Sequence, residues 1–352
     1  MEINNIYNID CLQGLKELDS NSIPLTVTSP PYDDIRTYQG TCNWNHDIFK
    51  SIADELYRVT KPGGIVVWVV GDATVNGGES GSSFRQALYF QEIGFKIHDT
   101  MIYHKNSSAF PARRDSKRYT QIFEYMFVFV KGKIRNDITL IADKRNKWAG
   151  WTNWGQHSQY DVDGNLVKAT NIKPIAEFSL RTNIWKYNVA FNDKIVKHPA
   201  VFPEELARDC ILSWSVEGDT ILDPFMGSGT TAKMALLNNR NYIGFELNEE
   251  YYNGILKRLE KFKNAPKNDV FSINVEIDGE NENCLITENP ESSIELEEKT
   301  KLFNNLVEQL NDYFNEQSLS ILKTLTLTFK SESNDKRVQN KLNEMNNIND
   351  NK

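Results

Sequence analysis

A glycine turn set between an apolar run and a helix-like run constrains this chain more than any other stretch. Ile221-Leu222-Asp223-Pro224-Phe225-Met226-Gly227-Ser228-Gly229-Thr230-Thr231 begins as a short buried strand and turns through its two glycines. It then enters Ala232-Lys233-Met234-Ala235-Leu236-Leu237, which reads as a helix. Strand, glycine turn and helix together present backbone N–H groups and a positive helix end to a bound ligand. Asp223 adds one fixed negative charge beside the turn. A second strand, Asn241 to Glu246, ends in an acid about 20 residues on, the separation at which a carboxylate meets ribose hydroxyls in dinucleotide folds.

Two absences narrow the ligand. The turn lacks the spacing Gly-x-Gly-x-x-Gly, and it lacks the Gly-Lys-Ser/Thr that grips a triphosphate. Two carboxylates without a phosphate-binding lysine suit a nucleoside that carries a cation. S-adenosylmethionine, with an amino group, a sulfonium and a ribose diol, meets that description. The competing reading is an ordinary strand–helix turn with a satisfied aspartate.

Upstream, strand-like and helix-like segments alternate. Ile6 to Cys11 reads as a strand, Leu12 to Leu18 as a helix, and Pro24 to Thr28 as another strand. That strand ends in Ser29-Pro30-Pro31-Tyr32, a stiff turn, because paired prolines neither continue a ladder nor enter a helix interior. Ile48 to Val59 has helical periodicity, and Lys61-Pro62-Gly63-Gly64 stops it. The six apolar residues Ile65 to Val70 then predict a buried parallel strand, closed by Gly71-Asp72. Phe84 to Gly94 reads as a helix, and Phe95 to Tyr103 and Phe123 to Val130 as strands. A proline-primed helix beginning in His198 to Leu206 leads back to the glycine turn, and Tyr251 to Lys263 makes a last helix. Such alternation predicts an α/β fold, a doubly wound and mostly parallel sheet.

The net charge of −8 speaks against a nucleic-acid ligand only until it is divided along the chain. Residues 271–352 hold 8 Lys/Arg and 16 Asp/Glu, so the whole excess lies there. Residues 96–150 hold 12 Lys/Arg against 5 Asp/Glu, the concentrated basic footprint that phosphate binding needs. Arg113, Arg114, Lys117 and Arg118 form a basic loop. From about 133 to 190 the alternation breaks down, and Lys144, Arg145, Lys147, Trp148, Trp151, Trp154, Tyr160, Trp185 and Tyr187 interleave cations with rings. Cations for phosphates and flat rings for bases suit a nucleic-acid-reading insertion. For any single tryptophan, a place in a small core is the favoured alternative.

The four cysteines lie far apart without zinc spacing and are expected to be reduced thiols of a cytoplasmic protein. No signal-peptide pattern opens the sequence, and no apolar run approaches the roughly 20 residues of a membrane span.

Ser29-Pro30-Pro31-Tyr32 and Asp223-Pro224-Phe225-x-Gly227-Ser228-Gly229-Thr230-Thr231 together resemble the DNA amino-methyltransferases, which methylate N6 of adenine or N4 of cytosine. The order matches the class with the catalytic motif first, the cofactor motif second, and a target-recognition region between them. The resemblance covers roughly residues 3–263 and takes in Lys61 to Gly64, Phe123-Glu124-Tyr125, and His198-Pro199 with Phe202-Pro203. It implies S-adenosylmethionine as cofactor, no metal, and double-stranded DNA as partner. A cognate restriction endonuclease and a homodimer also fit the family context. By resemblance, Asp223, Pro224, Phe225, Gly227, Ser228, Gly229 and Thr230 line the cofactor, with Glu246 on the ribose hydroxyls. Asp10, ending the first strand, would face the adenine, and His198 would lie beside the methionine moiety. Asp72 is expected to be structural.

An exocyclic amino group is a poor nucleophile, because its lone pair is delocalised into the ring. Hydrogen bonds to Ser29 Oγ and to the Pro30 carbonyl would localise that pair. Tyr32 offers a stacking face for a base flipped from the duplex. Ser-Pro-Pro-Tyr in place of Asp-Pro-Pro-Tyr resembles the N4-cytosine enzymes more often, so cytosine is the expected target and adenine N6 the alternative. An RNA-base methyltransferase and an inactive DNA-binding subunit compete less well, since Ser29, Tyr32 and Asp223 are all present.

The expected domains are a catalytic half over 1–132, a target-recognition region over 133–190 and a cofactor half over 191–265. An acidic appendage over 266–352 follows, with amphipathic helices around Leu302, Leu306 and Leu310 and from Ile321 to Leu325. The reading requires the two turns, some two hundred positions apart, to meet at neighbouring strand tips.

Overall fold

Ile65 to Val70 are all buried, because the strand that carries them has a neighbour on each side and helices over both faces. The computed structural model describes residues 1–31, 44–106, 117–152, 158–160, 162–168, 173–188, 201–263, 272–277, 280–284 and 326–330. The chain divides into two compact units, Met1–Glu260 and Lys261–Lys352.

Eight strands form the sheet of the first unit: β1 (Asn5–Tyr7), β2 (Ile23–Thr28), β3 (Thr60–Val70), β4 (Lys96–Lys105), β5 (Phe123–Val130), β6 (Ile184–Tyr187), β7 (Thr220–Asp223) and β8 (Asn241–Phe245). Their order is β1-β8-β7-β2-β3-β5-β4-β6. Only β5 runs against its neighbours; every other pair in the sheet is parallel. Alternate residues of a strand serve opposite faces. Ile65, Val67 and Val69 pack with α4 (Glu204–Trp214), α5 (Thr230–Leu237) and α6 (Glu249–Lys263). Val66, Trp68 and Val70 pack with α1 (Cys11–Lys16), α2 (His46–Val59) and α3 (Ser82–Glu92).

The helices form where capping and periodicity agree. Asn45 caps α2, its side chain accepting from the N–H groups of Asp47 (3.0 Å) and Ile48 (2.9 Å). Phe49, Ile52, Ala53, Leu56 and Val59 then bury one stripe.

Three expectations change. The first strand stops at Tyr7, and Asp10 is the N-cap of α1, accepting from Leu12 N–H (2.9 Å) and Gln13 N–H (3.2 Å). Ile184–Tyr187, within the stretch where alternation was expected to fail, is an eighth strand parallel to β4. Its Trp185 is buried and stacks on Trp214 with ring centroids 5.8 Å apart, so for this residue the core reading holds. Beyond α6, the described part of the second unit is a three-stranded antiparallel sheet, Ser272–Ile277 pairing with both Glu280–Cys284 and Thr326–Lys330. Asn and Glu, frequent in 272–284, are weak strand formers, which hides those strands. The helices expected near Leu302 and Ile321 lie outside the described residues. Among those that are described, no helix is long and apolar enough to cross a membrane.

Candidate active site

β2 and β7 are parallel neighbours, with Leu25 opposite Ile221 and Thr26 opposite Leu222. The Ser29 turn and the Asp223 turn therefore leave the same carboxyl edge side by side. From β2 the chain passes through α2 to β3 on one side; from β7 it passes through α5 to β8 on the other. An edge where such connections part leaves a crevice in doubly wound folds.

A hydrogen bond joins the two strand ends at that edge. Thr28 Oγ1 donates to Asp223 Oδ1 at 2.6 Å, across 195 positions of chain. Thr231 Oγ1 donates to Oδ2 at 2.7 Å, and the Phe225 N–H donates to Oδ1 at 3.0 Å. Burial raises the Asp223 carboxyl above its ordinary range, against the lowering effect of these three donors. The carboxylate expected to face a ligand is thus tied into the frame of both turns.

Gly227 and Gly229 take positive φ values of 56° and 79°. A Cβ on Gly229 would also stand 2.6 Å from Ile255 Cγ2 on α6. Gly229 is the N-cap of α5 and supplies no side-chain cap, so Ser228 and Thr230 flank a turn built of backbone. Glu246, just past β8, closes the other side. Its Oε2 accepts the Gly227 N–H at 2.7 Å, and its Oε1 accepts the Asn248 N–H at 2.8 Å. Burial pushes its carboxyl up to about 7, with the nearby Asp223 charge adding to the rise. Asp10 lies exposed beyond Tyr7, whose carbonyl accepts the Glu246 N–H at 3.1 Å.

Under the turn, Glu204 at the start of α4 accepts from Lys233 Nζ (2.8 and 3.0 Å) and from Arg258 Nη2 (2.6 Å). Arg258 Nη1 in turn donates to the Ser228 carbonyl at 2.6 Å. The lysine of α5 is therefore engaged by Glu204, beneath the turn.

Ser29 is half-buried, and Pro30, Pro31 and Pro224 are buried. Trp68, in register with Thr28, donates its indole N–H to Gln86 Oε1 at 2.9 Å. Phe225 meets Trp68 and Trp44 edge-on, at 6.2 and 5.6 Å between centroids. Asp72 accepts from the Ser83 N–H (2.9 Å), Ser83 Oγ (2.6 Å) and Ser82 Oγ (3.1 Å), capping α3 where Gly81 has no side chain to do so. Tyr32, His198, Arg113 and Arg114 lie outside the described residues.

Lys117 is exposed, and Arg118 bonds the Gly77 carbonyl and lies 3.7 Å from Glu79. Trp148 and Trp151 are 54% and 46% exposed with ring centroids 4.7 Å apart, and Lys147 Nζ stands 5.7 Å from the Trp148 centroid. Thr28, Glu204, Lys233 and Arg258 escape sequence reasoning. Only Thr28 leaves a trace, a hydroxyl in the strand residue just before the proline turn.

Residues 23–258, more than half of the chain, match the family model described as DNA methylase, of the N6/N4 type. The chain belongs to this DNA methylase family. It is 54% identical over 246 residues to Orphan methyltransferase M.BamHII of Bacillus amyloliquefaciens, a match covering 68% of this chain and 90% of that protein. It is 27% identical over 266 residues to DNA adenine methyltransferase YhdJ of Escherichia coli strain K12, covering 74% of this chain and 83% of that one. Among solved structures, PvuII DNA methyltransferase (cytosine-N4-specific) matches with a TM-score of 0.53 at 22% identity, over 73% of this chain and 86% of that one. That last likeness is one of fold, and it agrees with the doubly wound sheet of this DNA methylase.

Proposed function

We propose that this DNA methylase transfers a methyl group from S-adenosylmethionine to the exocyclic N4 of a flipped-out cytosine in double-stranded DNA, in a restriction-modification or epigenetic setting. The observation that carries the reading is the Thr28–Asp223 hydrogen bond, which joins the two turns at one strand edge. The donor set suits the cofactor. Glu246 offers a half-buried carboxylate at the rim, while the lysine of α5 is engaged by Glu204. That leaves an acidic site for a cationic, hydroxyl-bearing ligand.

Glu246 would accept from the ribose hydroxyls, and the backbone of Gly227, Ser228 and Gly229 would line the ligand with Phe225, Pro224 and Thr230. Asp10 would face the adenine, and His198 the methionine part. Bound there, S-adenosylmethionine supplies a methyl group already activated by its sulfonium. Ser29 Oγ and the Pro30 carbonyl accept from the two amino hydrogens and turn the nitrogen lone pair toward the donor. Tyr32 stacks on the extruded ring. Lys117, Arg118, Lys147, Trp148 and Trp151, with Arg113 and Arg114, hold the duplex. A cognate endonuclease, a homodimer and a cytoplasmic location belong to the same reading.

Ser29-Pro30-Pro31-Tyr32, with serine in place of aspartate, resembles the motif of the N4-cytosine enzymes more often than that of the N6-adenine ones, and this favours cytosine. Adenine N6 is the second reading. Incubation with tritiated S-adenosylmethionine and DNA, digestion to nucleosides and chromatography decides between them. Label in N4-methylcytosine is expected, label in N6-methyladenine transfers the assignment, and absence of label overturns the activity.

The carboxyl of Glu246 gives a pH prediction. Protonation removes the negative charge of the carboxylate and weakens it as an acceptor for the ribose hydroxyls, its two oxygens already serving the Gly227 and Asn248 N–H groups. Cofactor affinity should therefore rise as pH increases through about 7. The folded-state value lies above the ordinary 4.5, so this group favours the unliganded fold at low pH and loses that contribution as pH climbs to about 7. Calorimetric titration across this range checks the first sign and melting temperature without cofactor the second, and Glu246→Gln should flatten the affinity profile.

A further inference from the structure

One buried carboxylate away from the strand-tip crevice fastens the insert to the sheet. Asp209 on α4 is 2% exposed and takes three donors. Arg181 Nη1 (2.5 Å) and Tyr187 Oη (2.6 Å) meet its Oδ2, and Arg208 Nε (2.8 Å) meets its Oδ1. Arg181 lies on the limb returning from the insert, and its guanidinium also pairs with Asp143 on the outgoing limb. The same group lies 5.1 Å over the Trp185 ring, and the Arg181 N–H donates to the Ile141 carbonyl at 3.0 Å.

Past this clasp the two limbs run together. The N–H groups of Asn146 and Gly150 donate to the carbonyls of Glu177 and Ile175, each at 2.8 Å. The Ile175 N–H donates to the Trp151 carbonyl at 3.1 Å. The exposed Trp148–Trp151 pair sits on this ribbon. A planar guanidinium held by two carboxylates and a ring face permits few orientations of what it joins.

We propose that Arg181 and Asp209 are positioning residues for target choice. Their clasp sets the pose of the Trp148–Trp151 ribbon against the sheet, and so governs which DNA sequences deliver a base to the Ser29 turn. The inference rests on the reading that this ribbon meets DNA.

The test uses the full chain, unmethylated plasmid DNA and S-adenosylmethionine. Arg181→Gln leaves Asp209 with two donors, so the fold is expected to persist. KM for DNA should rise about tenfold, as misplacement of a binding element does. The kcat and cofactor affinity should stay within about twofold of wild type. Sequencing of the modified DNA should show a wider set of methylated sites, and Arg181→Lys should restore part of the selectivity. If Arg181→Gln keeps the wild-type KM and site set while the Trp148→Ala/Trp151→Ala double variant raises KM, the clasp is overturned and DNA contact by the ribbon stands. If the double variant also keeps wild-type KM, DNA contact by the ribbon fails, and the clasp with it. A parallel fall in melting temperature and cofactor affinity in Arg181→Gln would show general loosening and would also overturn the proposal.

Discussion

Ser29→Ala is expected to lower methyl transfer by about 10²- to 10³-fold, the loss seen when one oriented hydrogen-bond partner leaves a reacting centre. The backbone around it should not move. Thr28 is anchored to Asp223 from the neighbouring strand, and Pro30 and Pro31 are buried immediately after. Cofactor affinity, which the proposed reading assigns to the glycine turn and Glu246, should stay near wild type. Single-turnover transfer measured beside calorimetric titration separates the two quantities. A variant that methylates at the wild-type rate would remove Ser29 from the mechanism. Tyr32→Ala should give the same separation if Tyr32 has the proposed stacking role, which has no part in holding the cofactor.

Asp223→Ala should fail differently, losing the fold's margin and the cofactor together. Its removal strands the hydroxyls of Thr28 and Thr231 and the N–H of Phe225. Each orphaned buried group costs about 1–3 kcal/mol, so the chain should melt well below wild type. The proline turn and the glycine turn would also lose the bond that sets their separation, and cofactor affinity should fall with it. Asp223→Asn should be milder, because the amide still accepts at one atom. Wild-type cofactor affinity in Asp223→Ala would contradict the assignment.

Much of the sheet was legible because its strands are apolar runs bounded by breakers. Ile65 to Val70 and Phe123 to Val130 needed no partner to be read, and the glycine turn announced itself through residues adjacent in the chain. The proline turn was equally local. What stayed hidden depends on partners remote in sequence. Trp185 reads either as a base-reading ring or, as favoured for any single tryptophan, as core, and Trp214, packed against it from α4, decides for the core. Asp10 reads in sequence as the end of a strand, and the amides of Leu12 and Gln13 make it the cap of a helix. Asp223 was legible as important but not in its task, since Thr28 lies 195 positions away. Lys233 and Arg258, buried around Glu204, follow no local pattern at all.

The bond between Thr28 and Asp223 is lateral, made between adjacent strands and not along the polypeptide. Which of the two motifs is synthesised first therefore leaves no mark on the finished crevice. A gene with the two halves exchanged, rejoined through a linker of sufficient reach, could lay down the same sheet and place the same atoms face to face.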